Sequence, residues 1–266
     1  MPIRRLDQAL AARGFGSRKE IHALVRAGLV RVNGATAHSA SQKIDLDSDS
    51  AAVRGEEVCL QEFIYIMLHK PGGVITAARD PKTPTVLDLL PAHLRRRGLF
   101  PVGRLDKDTT GLLLLTDDGA LAHDLLSPRR HVPKTYLAAL RDPANETDIQ
   151  AFAAGLRLPA AEGRPPEDCL PAELSILELL PALCATPLAS EGGYTARVIL
   201  HEGKYHQVKR MFAARGNRVL ALHREGFGAL RLDGKLKPGE CRELTGEELG
   251  ALRNPGGPQA APTDIA

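Results

Sequence analysis

A polar loop, Gly103 to Gly111, lies between two apolar stretches and carries two acids, Asp106 and Asp108, two positions apart. Paired carboxylates can act as the acid and base of a glycosidase or as ligands of a metal. At that spacing on a loop the two need not face each other. No His accompanies them in the segment, which speaks against a metal. A single Asp in a turn is most often an Asx-type cap on its own backbone, and spacing alone leaves that reading ahead. Tyr136, in Lys134-Thr135-Tyr136, reads on its own as a core aromatic of a strand. Lys209 and Arg210, in His206-Gln207-Val208-Lys209-Arg210, read as solvated helix charges. His69, His123 and His223 read as ordinary satisfied histidines. The four cysteines are far apart with no CxxC pair, so neither a zinc site nor a disulfide framework is indicated and a reducing cytoplasm is the default.

The elements that must position these groups follow from pattern. Leu112–Leu115 is a wholly apolar strand ended by the Asp117-Asp118-Gly119 turn, after which Ala120 to Leu126 is helical. Phe63 to Leu68 predicts a strand, Lys70-Pro71-Gly72-Gly73 a turn, Val74–Thr76 a strand and Pro84–Leu90 a short helix. Thr135–Leu140, Ala172–Leu179 and Tyr194–Leu200 predict further strands. Lys204 to Arg215 predicts a helix whose apolar face is Val208, Met211 and Phe212. Residues 160–193 are acidic and Pro-rich, with a loop over 185–193, and the tail from Asn254 has a disordered composition. Strands outnumber helices and short turns join many of them, which indicates an α+β fold with a large, mostly antiparallel sheet.

The N-terminal block differs. Leu6, Ala9, Leu10 and Phe15 fall near helical spacing, and Gly14 and Gly16 break it. Ser17 and Glu20 form a capping box for a helix with Ile21, Leu24 and Val25 on one face. Gly28 is a helix stop, Leu29–Val32 a strand and Asn33-Gly34 a tight turn. Residues 45–50 read as a turn or linker and lack the spacing of a calcium loop.

Charge is unevenly placed along the chain. Segments 1–34, 63–140 and 199–231 carry net charges of +5, +4 and +5, while 35–62, 141–198 and 232–266 carry −4, −5 and −2. Three basic blocks fit a polyanion touched by selected surfaces as well as they fit uneven solvated charge. No apolar run approaches the ~18 residues of a membrane span. The N-terminus is amphipathic rather than a signal peptide.

SRKEIHALVRAGLVRVNG resembles the S4 RNA-binding domain, over about residues 3–50. The resemblance implies RNA contacts from Arg4, Arg5, Arg18, Lys19, Arg26 and Arg31, which can pair with phosphates. GRLDKDTTGLLLLTDDG resembles the active-site motif of the pseudouridine synthases, in the branch typified by a ribosomal small-subunit enzyme, whose members act on the RNA of either subunit. HKPGGVITA, SPRRHVPKTYLAAL and HEGKYHQVKRMFAARGNRVLALHREGFG continue the resemblance, in the family's order. It implies an S4-like domain over 1–60, a catalytic domain with a mixed, mainly antiparallel sheet over 61–253, and a tail over 254–266. It implies a catalytic aspartate at Asp106, a base-stacking tyrosine at Tyr136 and a basic partner of the aspartate at Lys209, with Arg210 competing for that place. Arg104 matches the arginine that fills the space of a flipped base. His206 and Gln207 are weaker candidates, for RNA or structural contacts, and Arg210 is a further RNA-binding candidate. No metal or organic cofactor is implied, and a monomer is the default.

The activity so implied is isomerisation of a uridine in ribosomal RNA, with the small subunit favoured over the large. Two other classes fit parts of the chain. A non-catalytic RNA-binding assembly factor shares the S4 module and the basic blocks but has no use for Asp106, Tyr136 and Lys209 together. A metal-dependent nucleic-acid hydrolase would use Asp106 and Asp108.

Overall fold

The computed structural model describes residues 3–46, 48–58, 60, 63–95, 98–161, 163–177 and 194–253. The chain forms two compact units, Met1–Ile64 and Tyr65–Ala266. The expected loop over 185–193 and the tail from Asn254 lie outside the described residues.

In the first unit β1 (Ile3–Arg5) leads into α1 (Leu6–Ala12), and α2 (Arg18–Arg26) follows. The capping box forms: Ser17 N–H donates to Glu20 Oε2 at 2.7 Å, and Glu20 N–H donates to Ser17 Oγ at 3.4 Å. Both free donors at the helix start are thereby satisfied. Strands β2 (Val30–Val32), β3 (Ala35–Thr36), β4 (Lys43–Asp45), β5 (Ala51–Val53) and β6 (Glu56–Val58) complete the unit. They pair in the order β3-β2-β5-β6, with β1 on β4. Asn33 and Gly34 turn the β2–β3 hairpin with φ of 51° and 78°, the left-handed pair that a tight hairpin needs. The Asn33 side chain also closes the polar 45–50 stretch: it donates to Asp49 Oδ1 at 2.8 Å and accepts from Ser50 N–H at 2.8 Å. Leu6, Leu10, Ile21, Val30, Ile44 and Val53 form the core. Arg18, Lys19, Arg26 and Arg31 stay exposed. Arg5 is committed to buried Asp7 through two hydrogen bonds of 3.0 and 2.8 Å.

The second unit is built on a nine-stranded sheet. Its strands are β7 (Tyr65–Lys70), β8 (Phe100–Pro101), β9 (Thr110–Thr116), β10 (Lys134–Leu140), β13 (Glu173–Leu177), β14 (Tyr194–Leu200), β15 (Val219–Phe227), β16 (Leu230–Arg231) and β17 (Cys241–Glu243). The short pair β11 (Arg157–Leu158) and β12 (Glu167–Asp168) stands apart. The order is β13-β14-β10-β15-β9-β7-β17, with β16 on β15 and β8 on β9. Every pairing is antiparallel except β15 with β9, so the sheet is mixed and mainly antiparallel, as expected. Leu112 to Leu115 of β9 are fully buried, which accounts for their unbroken apolar run in an interior strand. The helices are α3 (Gly119–Leu126), α4 (Glu146–Ala154), α5 (Gln207–Ala214) and α6 (Gly246–Arg253). Val208, Met211 and Phe212 of α5 are buried, and Phe212 meets Phe152 of α4 with ring centroids 5.0 Å apart.

Three expectations need correction. Val74–Thr76 is no strand: only Ile75 bridges, parallel to Thr85, because the neighbouring Thr76 is turned to hold another loop. Pro84–Leu90 is no helix. The Asp88 carboxylate takes the N–H and hydroxyl of Thr85 at 2.8 and 2.9 Å, and prolines at 84 and 91 leave no room to extend the turn. The helix expected from Lys204 begins only at Gln207, because His206 adopts the left-handed conformation with φ 48°.

Candidate active site

The Gly103–Gly111 loop tips a hairpin between β8 and β9, and it is held from below through its main chain. Lys70, at the end of β7, is fully buried. Its ammonium donates to the carbonyls of Pro71, Lys107 and Thr109 at 3.0, 3.2 and 2.8 Å. Burial pulls this lysine from 10.5 to about 8, against the opposing pull of Asp108 and Asp106. Thr76 donates its hydroxyl to Leu105 O at 2.7 Å and accepts Leu105 N–H at 3.1 Å. The loop ends at Gly111, whose φ is 106°; a Cβ there would stand 2.3 Å from the carbonyl oxygen of Arg224 on β15. Only glycine permits this approach of β9 to its parallel partner.

So held, the loop presents Asp106 with its side chain 28 % exposed. Lys209, in the first turn of α5, brings Nζ to 3.3 Å from Asp106 Oδ2. The same nitrogen donates to both oxygens of Asp108 at 2.7 and 2.8 Å. The two acids therefore share one cation. Partial burial works against the Asp108 charge, but the bonded Lys209 outweighs it and holds this carboxyl below the usual carboxylate range. His206 Nε2 lies 3.4 Å from Asp106 Oδ1. A histidine thus does reach the acids, contributed by a distant segment that local spacing does not reveal. Its ring stacks on Tyr205 at 3.9 Å, and the Arg164 guanidinium lies 4.7 Å from the centre of that tyrosine ring. Among the described residues no three His, Cys, Asp or Glu groups converge to hold a metal.

A cavity of about 1010 Å³ opens over this group, and Arg104, Asp106, Tyr136, His206 and Lys209 line it. Tyr136 is a buried strand residue of β10, as its pattern indicated, and it also forms cavity wall. Arg104 is exposed at the rim. Two candidates are engaged in structural contacts, Gln207 while also lining the cavity. Arg210 is buried and donates to Glu167 at 2.6 Å, to Tyr205 O at 3.2 Å and to Pro159 O at 2.7 and 3.1 Å. Gln207 is also buried; its oxygen accepts from Lys204 N–H at 3.0 Å, and its amide donates to Glu202 at 2.7 Å. Both brace the start of α5, so any contact with RNA competes with these partners. Arg210 does not compete with Lys209 for the acids.

Sequence reasoning missed Lys70, Lys134, Arg164 and Arg224. Lys70 had a signal: a lysine closing the apolar run Tyr-Ile-Met-Leu-His-Lys has no solvent on either side. Lys134 and Arg224 stood inside stretches that carry the family resemblance, without a distinguishing mark of their own. His69 and His223 are satisfied, as expected: His69 Nδ1 pairs with Leu236 O at 2.8 Å and His223 Nδ1 with Thr110 Oγ1 at 2.9 Å. Burial, with His69 adding to it, lowers His223 to about 4.

The arrangement is a carboxylate with a cation on one oxygen and an imidazole near the other, at the mouth of a cavity with an aromatic wall. It can present a carboxylate oxygen to an electrophilic carbon while a planar ring is held close by. Comparison with known proteins agrees with this chemistry. Residues 64–214 match the RNA pseudouridylate synthase family and residues 4–49 match the S4 domain. An uncharacterized RNA pseudouridine synthase of Bacillus subtilis, YtzG, is 44% identical over 251 residues, covering 94% of this chain and 99% of its own. Ribosomal small subunit pseudouridine synthase A of Yersinia pestis is 39% identical over 254 residues, covering 94% and 99%. The Escherichia coli protein of that name is 39% identical over 249 residues, covering 93% and 99%. A crystal structure of a pseudouridylate synthase superimposes with a TM-score of 0.60 at 37% identity, covering 94% of this chain and 99% of that one. With an S4 domain ahead of a catalytic unit that matches over more than half the chain, this protein belongs to the RNA pseudouridylate synthase family.

Proposed function

We propose that the protein isomerises one uridine of ribosomal small-subunit RNA to pseudouridine, with Asp106 as the reacting carboxylate. The supporting observation is the Asp106–Lys209 pair, 3.3 Å apart, in the wall of a cavity shared with Tyr136 and Arg104. In the reaction the bond from ribose C1′ to uracil N1 breaks, the ring turns, and C1′ bonds to C5, whose proton is lost as N1 gains one. Asp106 serves as nucleophile or as counter-charge to the developing positive charge, and it departs again when the new bond forms. Lys209, 3.3 Å from that carboxylate, holds it in place and balances its charge. Tyr136 stacks on the uracil, and its hydroxyl takes the C5 proton. Arg104 fills the gap that the extruded base leaves, which offsets part of the few kcal/mol that unstacking costs.

The small subunit is favoured because relatives at 39% identity carry that substrate in their names. The S4 unit supplies phosphate contacts through Arg4, Arg18, Lys19, Arg26 and Arg31, with Arg5 limited by its pairing to Asp7. We infer a cytoplasmic monomer, the location following from the proposed ribosomal RNA substrate. Among the described residues no helix is long and apolar enough to cross a membrane.

Carbodiimide mapping of small-subunit RNA and assembly particles, with the wild type and Asp106→Asn, tests the proposal. One new modified site, absent with the variant, is the expected result. A site on large-subunit RNA instead would move the target. RNA binding without any modification on either would replace the enzyme by an assembly factor.

A further inference from the structure

The cavity holds a second cationic group, which shares no contact with Asp106, Asp108 or Lys209. Strands β10 and β15 pair antiparallel with a register shift between Thr135 and Tyr136. Lys134 faces Phe227 and Tyr136 faces Arg224, so Glu225 is the extra residue of a bulge. In a regular strand residues 224 and 227 point to opposite faces; the bulge brings both to the cavity side. Lys134, Arg224 and Phe227 all line the cavity.

Arg224 is only 2% exposed. Its Nε donates to Leu112 O at 2.8 Å, and its Nη2 has no hydrogen-bond partner among the described residues. Its guanidinium lies 5.3 Å from the centre of the Phe227 ring. Lys134 Nζ approaches the same ring centre to 5.6 Å and donates to Val132 O at 2.8 Å. No carboxylate bonds either cation among the described residues. Glu202 is the acid whose field reaches Lys134, and it is already bonded to Gln207 and to the Leu170 N–H. Burial, with repulsion from Arg224, brings Lys134 down to about 8, so the pair is short of negative charge.

A buried guanidinium N–H without an acceptor is costly, and a second cation beside the same ring adds repulsion. An incoming anion relieves both. Uracil is neutral and supplies only carbonyl acceptors, whereas each nucleotide of the RNA brings a phosphodiester with a full charge and two acceptor oxygens. We propose that Arg224 and Lys134 form a phosphate subsite on the cavity floor, which takes a phosphodiester beside the target uridine. The subsite rests on the reading of the chain as an RNA-modifying enzyme and adds a binding pair to it. It fixes the strand while Asp106 and Tyr136 address the sugar and base.

The test is the salt dependence of binding. Full-length wild type, Arg224→Gln and Lys134→Gln are titrated against transcribed small-subunit RNA over a range of potassium chloride. In parallel, pseudouridine formation by the wild type is scored. Each variant is expected to bind on the order of tenfold more weakly near 0.1 M salt, as for loss of a charged hydrogen bond. Each is expected to lower the slope of log K against log salt by about one. Circular dichroism and thermal melting report whether Arg224→Gln folds; Lys134→Gln, at a less buried position, carries the test if it does not. Unchanged slopes in the folded variants overturn the subsite. Lost modification with an unchanged slope also overturns it, because the pair then acts on the neutral base. A wild type that binds but forms no pseudouridine counts against the enzyme reading, and the slopes still decide the subsite.

Discussion

Replacing Lys70 by Met should leave the fold standing and disable the loop that bears Asp106. The native ammonium donates to the carbonyls of Pro71, Lys107 and Thr109. Lys107 O also accepts the Gly73 N–H at 2.8 Å, so the Met side chain strands chiefly the other two carbonyls. At about 1–3 kcal/mol for each, the loss is about 2–6 kcal/mol. Against it stands the cost of burying the charge. A fall from 10.5 to about 8 corresponds to about 3 kcal/mol. The net change at pH 7 is therefore small, within about 3 kcal/mol of the wild type. Catalysis has no such compensation. A shift of about 1 Å in the loop is enough to lower kcat on the order of 100-fold.

The pH dependence identifies the cause. Because the folded lysine binds its proton less tightly than the unfolded one, the unfolded state carries more protons between pH 8 and 10.5. Stability must therefore rise with pH across that window, by up to about 3 kcal/mol from this residue. Lys134, also near 8, adds a rise of its own, but to both proteins. Urea unfolding of wild type and Lys70→Met at pH 7 and pH 10, with single-turnover modification assays, separates the two contributions. An equal rise in both proteins, or a variant with wild-type kcat, would refute the reasoning.

Four further outcomes follow from the same geometry. Lys209→Met should lower kcat roughly 10- to 100-fold, the value of one charge-assisted contact, with Lys209→Arg retaining more; single-turnover rates within threefold of wild type would remove Lys209 from the reaction. Gly111→Ala sets a Cβ against the Arg224 backbone at a φ of 106° and should cost more than about 3 kcal/mol in urea unfolding. Arg210→Met should destabilise by about 3 kcal/mol, because it strips the buried bracing of α5, while the salt slope of RNA binding stays at the wild-type value. His223 stays neutral in the fold down to about pH 4, so the unfolded state takes up its proton as pH falls from 6.5. The stability lost across that window is at most about 3 kcal/mol, and His223→Gln should flatten this part of the acid unfolding curve.

Features set by neighbouring residues were legible in the chain. The Ser17–Glu20 box, the Asn33-Gly34 turn and the four-leucine core of β9 depend on contacts within a few positions. Lys209 was distinguished from Arg210 by family register alone; the two differ by a 100° rotation on α5, which turns one toward the acids and the other into Glu167. Strand β15 escaped notice because its His223-Arg224-Glu225 run breaks alternation at the bulge. Helix α4 carried a readable signal in Asn145 and Asp148, which form a second capping box. The approach of His206 to Asp106 was not legible, since it joins positions 100 residues apart through a left-handed residue that no local pattern demands.

The way the Asp106 loop is gripped has a consequence for how substitutions distribute along the chain. Lys70 and Thr76 hold it by the carbonyls of residues 105, 107 and 109, which every amino acid supplies, and by the amide of 105, which all but proline supply. The side chain of Lys107 contributes nothing to that grip and points to an exposed position. A saturation scan should therefore find residue 107 permissive although it adjoins Asp106, the proposed reacting acid. The intolerance should fall instead on 70 and 76, some thirty residues earlier. Distance from Asp106 along the sequence is a poor guide to which positions this enzyme can vary.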